Sequence, residues 1–210
     1  MANDQSSHLG IRPFVQPGER VRINYYKAGT GANLFMFQPV AKNAVNKIVP
    51  APVGIAKSGI LGVIVGFLDP NRGGLPTNLT DLNQGAFLDS GNEALVAVSD
   101  DPDQLYYAEE DTGGTLIGSQ DSAGQTVHFT YLGSGSGNTT TGISTALMDR
   151  STLATGTGGV FTIIRPYDEI VNSDGTYNDV SGNFAKWILK INSHQNGPVS
   201  TYIPTDRVAA

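Results

Sequence analysis

The residue types able to do chemistry crowd into one place. Positions 100–111 read DDPDQLYYAEED, six carboxylates in twelve residues with two tyrosines among them. Three kinds of site are open to such a stretch. A calcium loop of the EF-hand kind needs D-x-[DN]-x-[DN]-G, and counting from Asp101 puts Leu105 where the third oxygen ligand belongs and Tyr106 where the glycine belongs, so that motif fails. A carboxylate pair for glycoside hydrolysis must flank a sugar at a defined separation. If a strand runs through Glu109 and Glu110, alternation sends them to opposite faces, so only one can share a site with Tyr107. The third reading is structural. Asp100, Asp101 and Asp103 around Pro102 suit a turn between two strands, because Asp bonds its own backbone and Pro presets φ. The turn needs no ligand, and it is the reading we carry forward.

Other reactive residues are scattered. His8, His128 and His194 lie far apart and outside any H-x-x-x-H spacing, and the chain has no cysteine to serve as nucleophile, disulfide partner or zinc thiolate. The sequence lacks the G-x-S-x-G elbow, the phosphate-cradling G-x-x-x-x-G-K-[ST] loop and the dinucleotide G-x-G-x-x-G. The glycine-rich run 133–142, GSGSGNTTTG, has neither a lysine nor a strand-to-helix setting and is expected to be a flexible loop. Asn78 and Asn138 open glycosylation sequons, which carry no weight without a secretory signal, and the polar MANDQSSHLG start has no signal-peptide order. Tyr25, Tyr26, Tyr106, Tyr107 and Trp187 could form a carbohydrate platform, but aromatic residues in strands more often serve as core or cross-strand pairs. The expectation is no catalytic, cofactor or metal site.

The elements that would position these residues are strands. Runs of Val, Ile, Phe, Tyr and Thr recur between Gly/Asn/Asp/Pro clusters at 20–26, 34–40, 59–68, 94–98, 105–109, 126–132, 160–165 and 185–192, and no helical periodicity is sustained. In AKWILKIN, Trp187, Leu189 and Ile191 alternate with Lys186, Ile188 and Lys190, as in a strand with one buried face. The apolar window 49–68 approaches a membrane span in length, but Lys57 and Ser58 interrupt it, so a buried strand is expected. With 26 Gly, 11 Pro and 15% charged residues, the surface must rest largely on small polar side chains. A net charge of -6 and the absence of a basic stripe argue against nucleic-acid binding. Residues 1–19 carry two prolines and no periodicity, which predicts an extended arm without a regular element.

Taken together, ALVAVSDDPDQLYYAEEDTGGTL at 94–116, the Arg165–Pro166 pair and NFAKWILKINSHQ at 183–195 resemble a family of tailed-bacteriophage virion proteins. Those proteins carry a DDP turn, an aromatic-acidic strand and a closing AKW strand, and HLGIRPF resembles their usual N-terminal opening. The pattern maps onto 10–13, 100–102, 109–111, 165–166 and 185–194. YYAEED departs from the commoner form of the strand, and the residues after His194 have no counterpart. The resemblance implies a head decoration or cement protein on the outer capsid surface of the virion, with the major capsid protein as partner, self-association as a trimer or dimer, and neither nucleic acid nor membrane bound.

The expected fold is therefore all-β: a single-domain β-sandwich or barrel, jelly-roll-like or related. We divide it into an arm at 1–19, a β domain at 20–195 and a C-terminal tail at 196–210. Within the arm, Leu9, Ile11 and Phe14 around Arg12 are the candidate capsid contacts, apolar anchors beside one cation. The alternatives are another virion component, such as a head-completion, tail or fibre-anchoring protein, or a carbohydrate-binding β module. An enzyme is not expected.

Overall fold

Short alternating runs closed by turn residues produce fifteen strands in a computed structural model that describes residues 10–15, 20–54, 59–68, 87–113, 117, 122–133, 135–154, 158–168, 172 and 174–196. In chain order the first seven are β1 (Arg12–Phe14), β2 (Ile23–Lys27), β3 (Leu34–Phe35), β4 (Pro39–Lys42), β5 (Ile48–Pro50), β6 (Gly62–Leu68) and β7 (Phe87–Leu88). Then come β8 (Leu95–Ser99), β9 (Leu105–Glu109), β10 (Thr126–Tyr131), β11 (Gly137–Asn138), β12 (Ile143–Ser144), β13 (Ala146–Ala154), β14 (Phe161–Pro166) and β15 (Lys186–Ile191). Among the described residues no helix is long and apolar enough to cross a membrane, and the apolar window ends in β6.

Two antiparallel sheets carry the fold. A six-stranded sheet runs β1-β9-β15-β14-β10-β13 and a five-stranded sheet runs β2-β8-β6-β4-β5, with the ribbons β3-β7 and β11-β12 beside them. The main core is lined by the inner face of the larger sheet, with Tyr106, Phe129, Phe161, Ile163, Trp187 and Leu189, and is met by Ala41 and Val63 of the smaller sheet. A second core lies on the other face of the smaller sheet, where Val40, Ile64, Val96 and Val98 pack with Leu34 of the β3-β7 ribbon. The architecture is an all-β sandwich whose sheets curl. The Gly10 N–H donates to Ala146 C=O at 3.1 Å and the Asp111 N–H to Met148 C=O at 2.9 Å, joining the β1/β9 side of the larger sheet to β13. In the smaller sheet, the Gly29 N–H, just past β2, donates to Ile48 C=O of β5 at 2.7 Å.

Consecutive strands β8 and β9 lie in different sheets, and so do β1 and β2; β1 pairs with β9 and β2 with β8. One two-stranded ribbon thus bends from sheet to sheet, and its corner falls on the DDP turn. The bend demands close packing. At Gly62 a Cβ would lie 1.9 Å from the Ser99 carbonyl oxygen, so only glycine lets β6 pass the end of β8.

Three expectations require correction. Residues 12–14, assigned to an irregular arm, form β1; the sheet tolerates Pro13 there because β1 is an edge strand with a side that needs no N–H donor. The single run expected at 34–40 is two strands, β3 and β4. Phe37 between them adopts φ 62°, and buried Gln38 folds back so that its Oε1 accepts the Phe35 N–H at 2.9 Å. Finally, β15 has two buried faces rather than one. Lys186 and Ile188 are enclosed because Asn178, beyond β14, accepts the Lys186 N–H at 2.9 Å and donates to the Lys186 and Tyr167 carbonyls at 2.8 and 3.0 Å. The longest strand, β13, was not anticipated at all.

Candidate functional site

The acidic stretch is built into the corner and the two strands leaving it. Asp101 caps the turn: its Oδ1 accepts the Asp103 N–H at 2.9 Å and its carbonyl accepts the Gln104 N–H at 3.1 Å, the local bonding expected of Asp beside Pro102. Asp100, just past β8, is buried and grips β2. It accepts from Arg22 Nε at 3.2 Å, from Asn24 Nδ2 at 2.9 and 3.0 Å, and from the Tyr26 hydroxyl. The three donors are alternate residues, so they share one face of β2. Burial works against the Asp100 charge, but the Tyr26, Asn24 and Arg22 hydrogen bonds outweigh it and hold the carboxyl below the usual range. The Tyr26 phenol is pushed up to about 12, first by burial and then by its bond to that carboxylate.

The rest of the stretch divides by face. Tyr106 is fully buried and donates its hydroxyl to the Ser99 carbonyl at 3.1 Å. Tyr107 faces the other way, its ring 4.8 Å from that of Tyr167, which meets Phe14 edge-on at 5.9 Å. Glu109 pairs with Lys186 at 3.6 Å, both buried. Glu110 turns inward, accepts Trp187 Nε1–H at 3.2 Å and faces Arg150 Nη1 at 3.4 Å. Arg150 also donates to the Gly113 and Thr112 carbonyls at 2.7 and 2.6 Å and to Asn183 at 3.1 Å. Burial raises the Glu110 pKa to about 7 against the pull of Trp187 and Arg150. Asp111 accepts the Arg150 backbone N–H at 3.2 Å. Asp103, at the exposed end, pairs with Lys190 at 2.7 Å.

All six carboxylates therefore have partners within the chain, and the expected separation of Glu109 from Glu110 onto opposite faces is what the geometry places there. The arrangement fixes strands to one another. Among the described residues, no group of three or more His, Asp or Glu side chains is placed to hold a metal ion. His128 lies across from Asp149 on β13, and His194 sits apart beside Ile60, where its Nδ1 accepts the Asn196 N–H at 3.0 Å. Of the proposed aromatic platform, Tyr106 and Trp187 are in the core and Tyr26 is held by Asp100, so Tyr25 alone stands well out from the surface.

The candidate contacts are separated by burial. Leu9 lies outside the described residues. Ile11 is fully enclosed in the main core and donates its N–H to Phe37 C=O at 2.9 Å, so it is an anchor for this chain's own fold. Arg12 and Phe14 are half-buried at the β1 edge, with the Arg12 guanidinium 4.8 Å from the Phe37 ring and that of Arg165 5.7 Å from the Phe14 ring. Of the exposed apolar residues that follow along the same ribbon, sequence reasoning named Tyr25 only as part of an aromatic platform and missed Val15 and Ile23. Their signal was present in RINYYK, where the even-numbered residues are polar or phenolic and the odd ones include Ile23 and Tyr25. No family model, curated protein or solved structure matches this chain.

Proposed function

We propose that the chain is a structural protein of a tailed-bacteriophage virion, a decoration or cement protein that binds the outside of the capsid shell. The observation that carries this reading is the convergence of the resembling segments. Residues 10–13, 109–111, 165–166 and 185–194 fall on or beside the neighbouring strands β1, β9, β15 and β14, and residues 100–102 form the corner that feeds them. Segments far apart in sequence thus resemble the family where they build one framework. The division of labour fits such a role: carboxylates are spent on internal bonds, while apolar side chains are exposed along the β1-β2 ribbon. A protein that binds only the assembled shell shifts assembly toward that state. Contact is assigned to this ribbon, with Arg12 and Phe14 at one end.

The test is attachment. Purified protein is mixed with capsids stripped of their decoration and sedimented; saturable binding in many copies per particle is expected. Absence of binding, together with absence of the protein from purified virions by quantitative mass spectrometry, overturns the reading.

A further inference from the structure

Beyond β15 the chain is pinned to the smaller sheet and then reaches a chemically unstable pair of residues. Ser193 C=O accepts the Ile60 N–H at 2.8 Å, and the Gln195 N–H donates to Ile60 C=O at 3.0 Å. The Gln195 side chain grips β4: its Oε1 accepts the Lys42 N–H at 2.7 Å and its Nε2 donates to the Lys42 carbonyl at 3.4 Å. Asn196 follows on this anchor. Its backbone N–H is committed to His194 Nδ1 at 3.0 Å, and its side-chain Oδ1 accepts from Lys42 Nζ at 3.3 Å. The same ammonium stands 4.8 Å over the Tyr26 ring, and the Asn196 amide bonds the Tyr26 hydroxyl, opposing part of the rise in its pKa.

Asn196 alone among the asparagines of this chain is followed by glycine. An asparagine loses its side-chain nitrogen as ammonia when the next backbone nitrogen attacks Cγ, and a side chain on that next residue hinders the approach. Glycine has no such side chain and turns freely. Asn196 is also exposed, so water reaches it. Asn172 and Asn192, each followed by the small residue serine, are tied down instead: Asn172 Nδ2 donates to Thr176 Oγ1 at 2.8 Å and Asn192 Nδ2 to the Gly159 carbonyl at 3.2 Å. Lys42 adds an independent element. As the Gly197 nitrogen adds to Cγ, negative charge develops on Oδ1, the atom the ammonium already touches, so the cation favours the tetrahedral intermediate over the starting amide.

We propose that Asn196 is a site of self-modification, converting to aspartate and isoaspartate through a cyclic imide with Gly197, with Lys42 promoting the ring closure. The bonds balance with water as the one co-reactant. The bond from the Gly197 nitrogen to Cγ forms, that nitrogen gives up its proton, the Cγ–Nδ2 bond breaks and Nδ2 leaves as ammonia; water then opens the ring at either carbonyl. The product replaces a neutral amide with a carboxylate beside Lys42, in a seam where Tyr26 already bonds the Asp100 charge. Fresh and aged molecules then differ by one negative charge where β2, β4 and the C-terminal segment meet, and isoaspartate also lengthens the main chain there. The reaction needs nothing from a virion and is independent of that reading.

Purified full-length protein is incubated at neutral to mildly alkaline pH and mapped by peptide mass spectrometry, with isoaspartate read by enzymatic methylation of the digest. Conversion at Asn196 ahead of every other asparagine is expected, with both products formed. Gly197→Ala should slow it at least about tenfold, since a methyl group then hinders the attacking nitrogen. Lys42→Met keeps the length of the side chain without its charge and should slow conversion about two- to fivefold, the size of an exposed charge contact, whereas Lys42→Arg should stay close to the parent. An unchanged far-UV circular dichroism spectrum shows that each variant is folded. The Asn196→Asp variant, which carries the product from the start, should raise the Tyr26 phenol pKa, read by NMR titration of the ring. Earlier conversion of another asparagine, an Asn196 amide that survives prolonged incubation, or an unchanged rate in either Gly197→Ala or Lys42→Met would each overturn the proposal.

Discussion

Trp187 Nε1 donates to Glu110 Oε2 at 3.2 Å, with both side chains fully buried at the end of β9, where Glu110 bridges to Met148 of β13 across the curl of the same sheet. The acid is held there by three neighbouring elements: Trp187 from β15, Arg150 from β13, and its own strand end, where the adjacent Asp111 carboxyl is also raised by burial.

That geometry sets a pH dependence. The Glu110 pKa is about 7 in the folded chain against an ordinary 4.5, so the folded state binds the proton more tightly than the unfolded one. Stability from this group is full below about pH 4.5 and falls as pH rises toward 7. Asp100 acts in the opposite sense in a different window, because its lowered pKa removes stability only as pH falls below its ordinary value of 3.8. Melting temperatures measured from pH 4.5 to 8 should decline less steeply in Glu110→Gln than in the parent. Identical slopes would remove Glu110 as the cause.

Removing the clasp should be felt on β2. Asp100→Ala leaves Arg22, Asn24 and Tyr26 without their shared acceptor, a loss of about 3 kcal/mol given hydrogen bonds to a buried charge. The Tyr26 phenol should also titrate below its parent value of about 12, since part of that elevation comes from the carboxylate. Chemical denaturation and NMR titration of the tyrosine ring check the two effects; an unmoved phenol would show that burial alone sets its pKa.

Two glycines of the same strand should differ sharply. A methyl at Gly62 would lie 1.9 Å from the Ser99 carbonyl oxygen, whereas at Gly66 its closest neighbour is Ala97 Cβ at 3.5 Å, an ordinary contact. Gly62→Ala should lose more than about 4 kcal/mol or fail to fold, and Gly66→Ala should stay within about 1 kcal/mol of the parent. Comparable denaturation midpoints for both would mean that β6 can shift as a unit.

Ile11 and Trp187 should both behave as core residues. Truncation to Ala is expected to cost about 2–5 kcal/mol at Ile11 and about 3–5 kcal/mol at Trp187. A near-neutral Ile11→Ala by thermal denaturation would return that residue to the candidate contacts.

How much of this was written in the sequence depends on the range of the interactions involved. Strand β9 was read to the residue, because LYYAE alternates and is bounded by a Pro-containing turn and a GG pair. The carboxylates of the stretch were assigned a structural role for a local reason, failed ligand spacing, but their partners Arg150 and Lys190 lie 39 to 87 positions away, and nothing local announces such pairs. β13 escaped notice because ALMDRSTLA mixes good helix formers with charge, and its strand state is imposed by pairing with β10. Ile11 was misassigned for the converse reason: an apolar residue in a segment broken by Pro13 and Pro17 has no periodicity, and its burial is decided by Phe37 and the β1-β9 register.

The place of β15 in its sheet also has a temporal meaning. This strand lies between β9 and β14, yet it is the last strand in sequence among the described residues, and the residues after it complete the seam: Ser193 C=O accepts from Ile60 and the Gln195 side chain bonds the Lys42 backbone. During synthesis, β9 and β14 emerge with the slot between them empty, so each presents an open edge until residues 186–191 clear the ribosome. Closure by pairs more than 70 residues apart is slow in proportion to its contact order. The nascent chain is thus most prone to aggregate just before residues 186–191 emerge. Release of a chain stopped ahead of residue 186 should yield insoluble protein, while supplying 183–196 as a separate peptide during refolding should restore part of the soluble fraction.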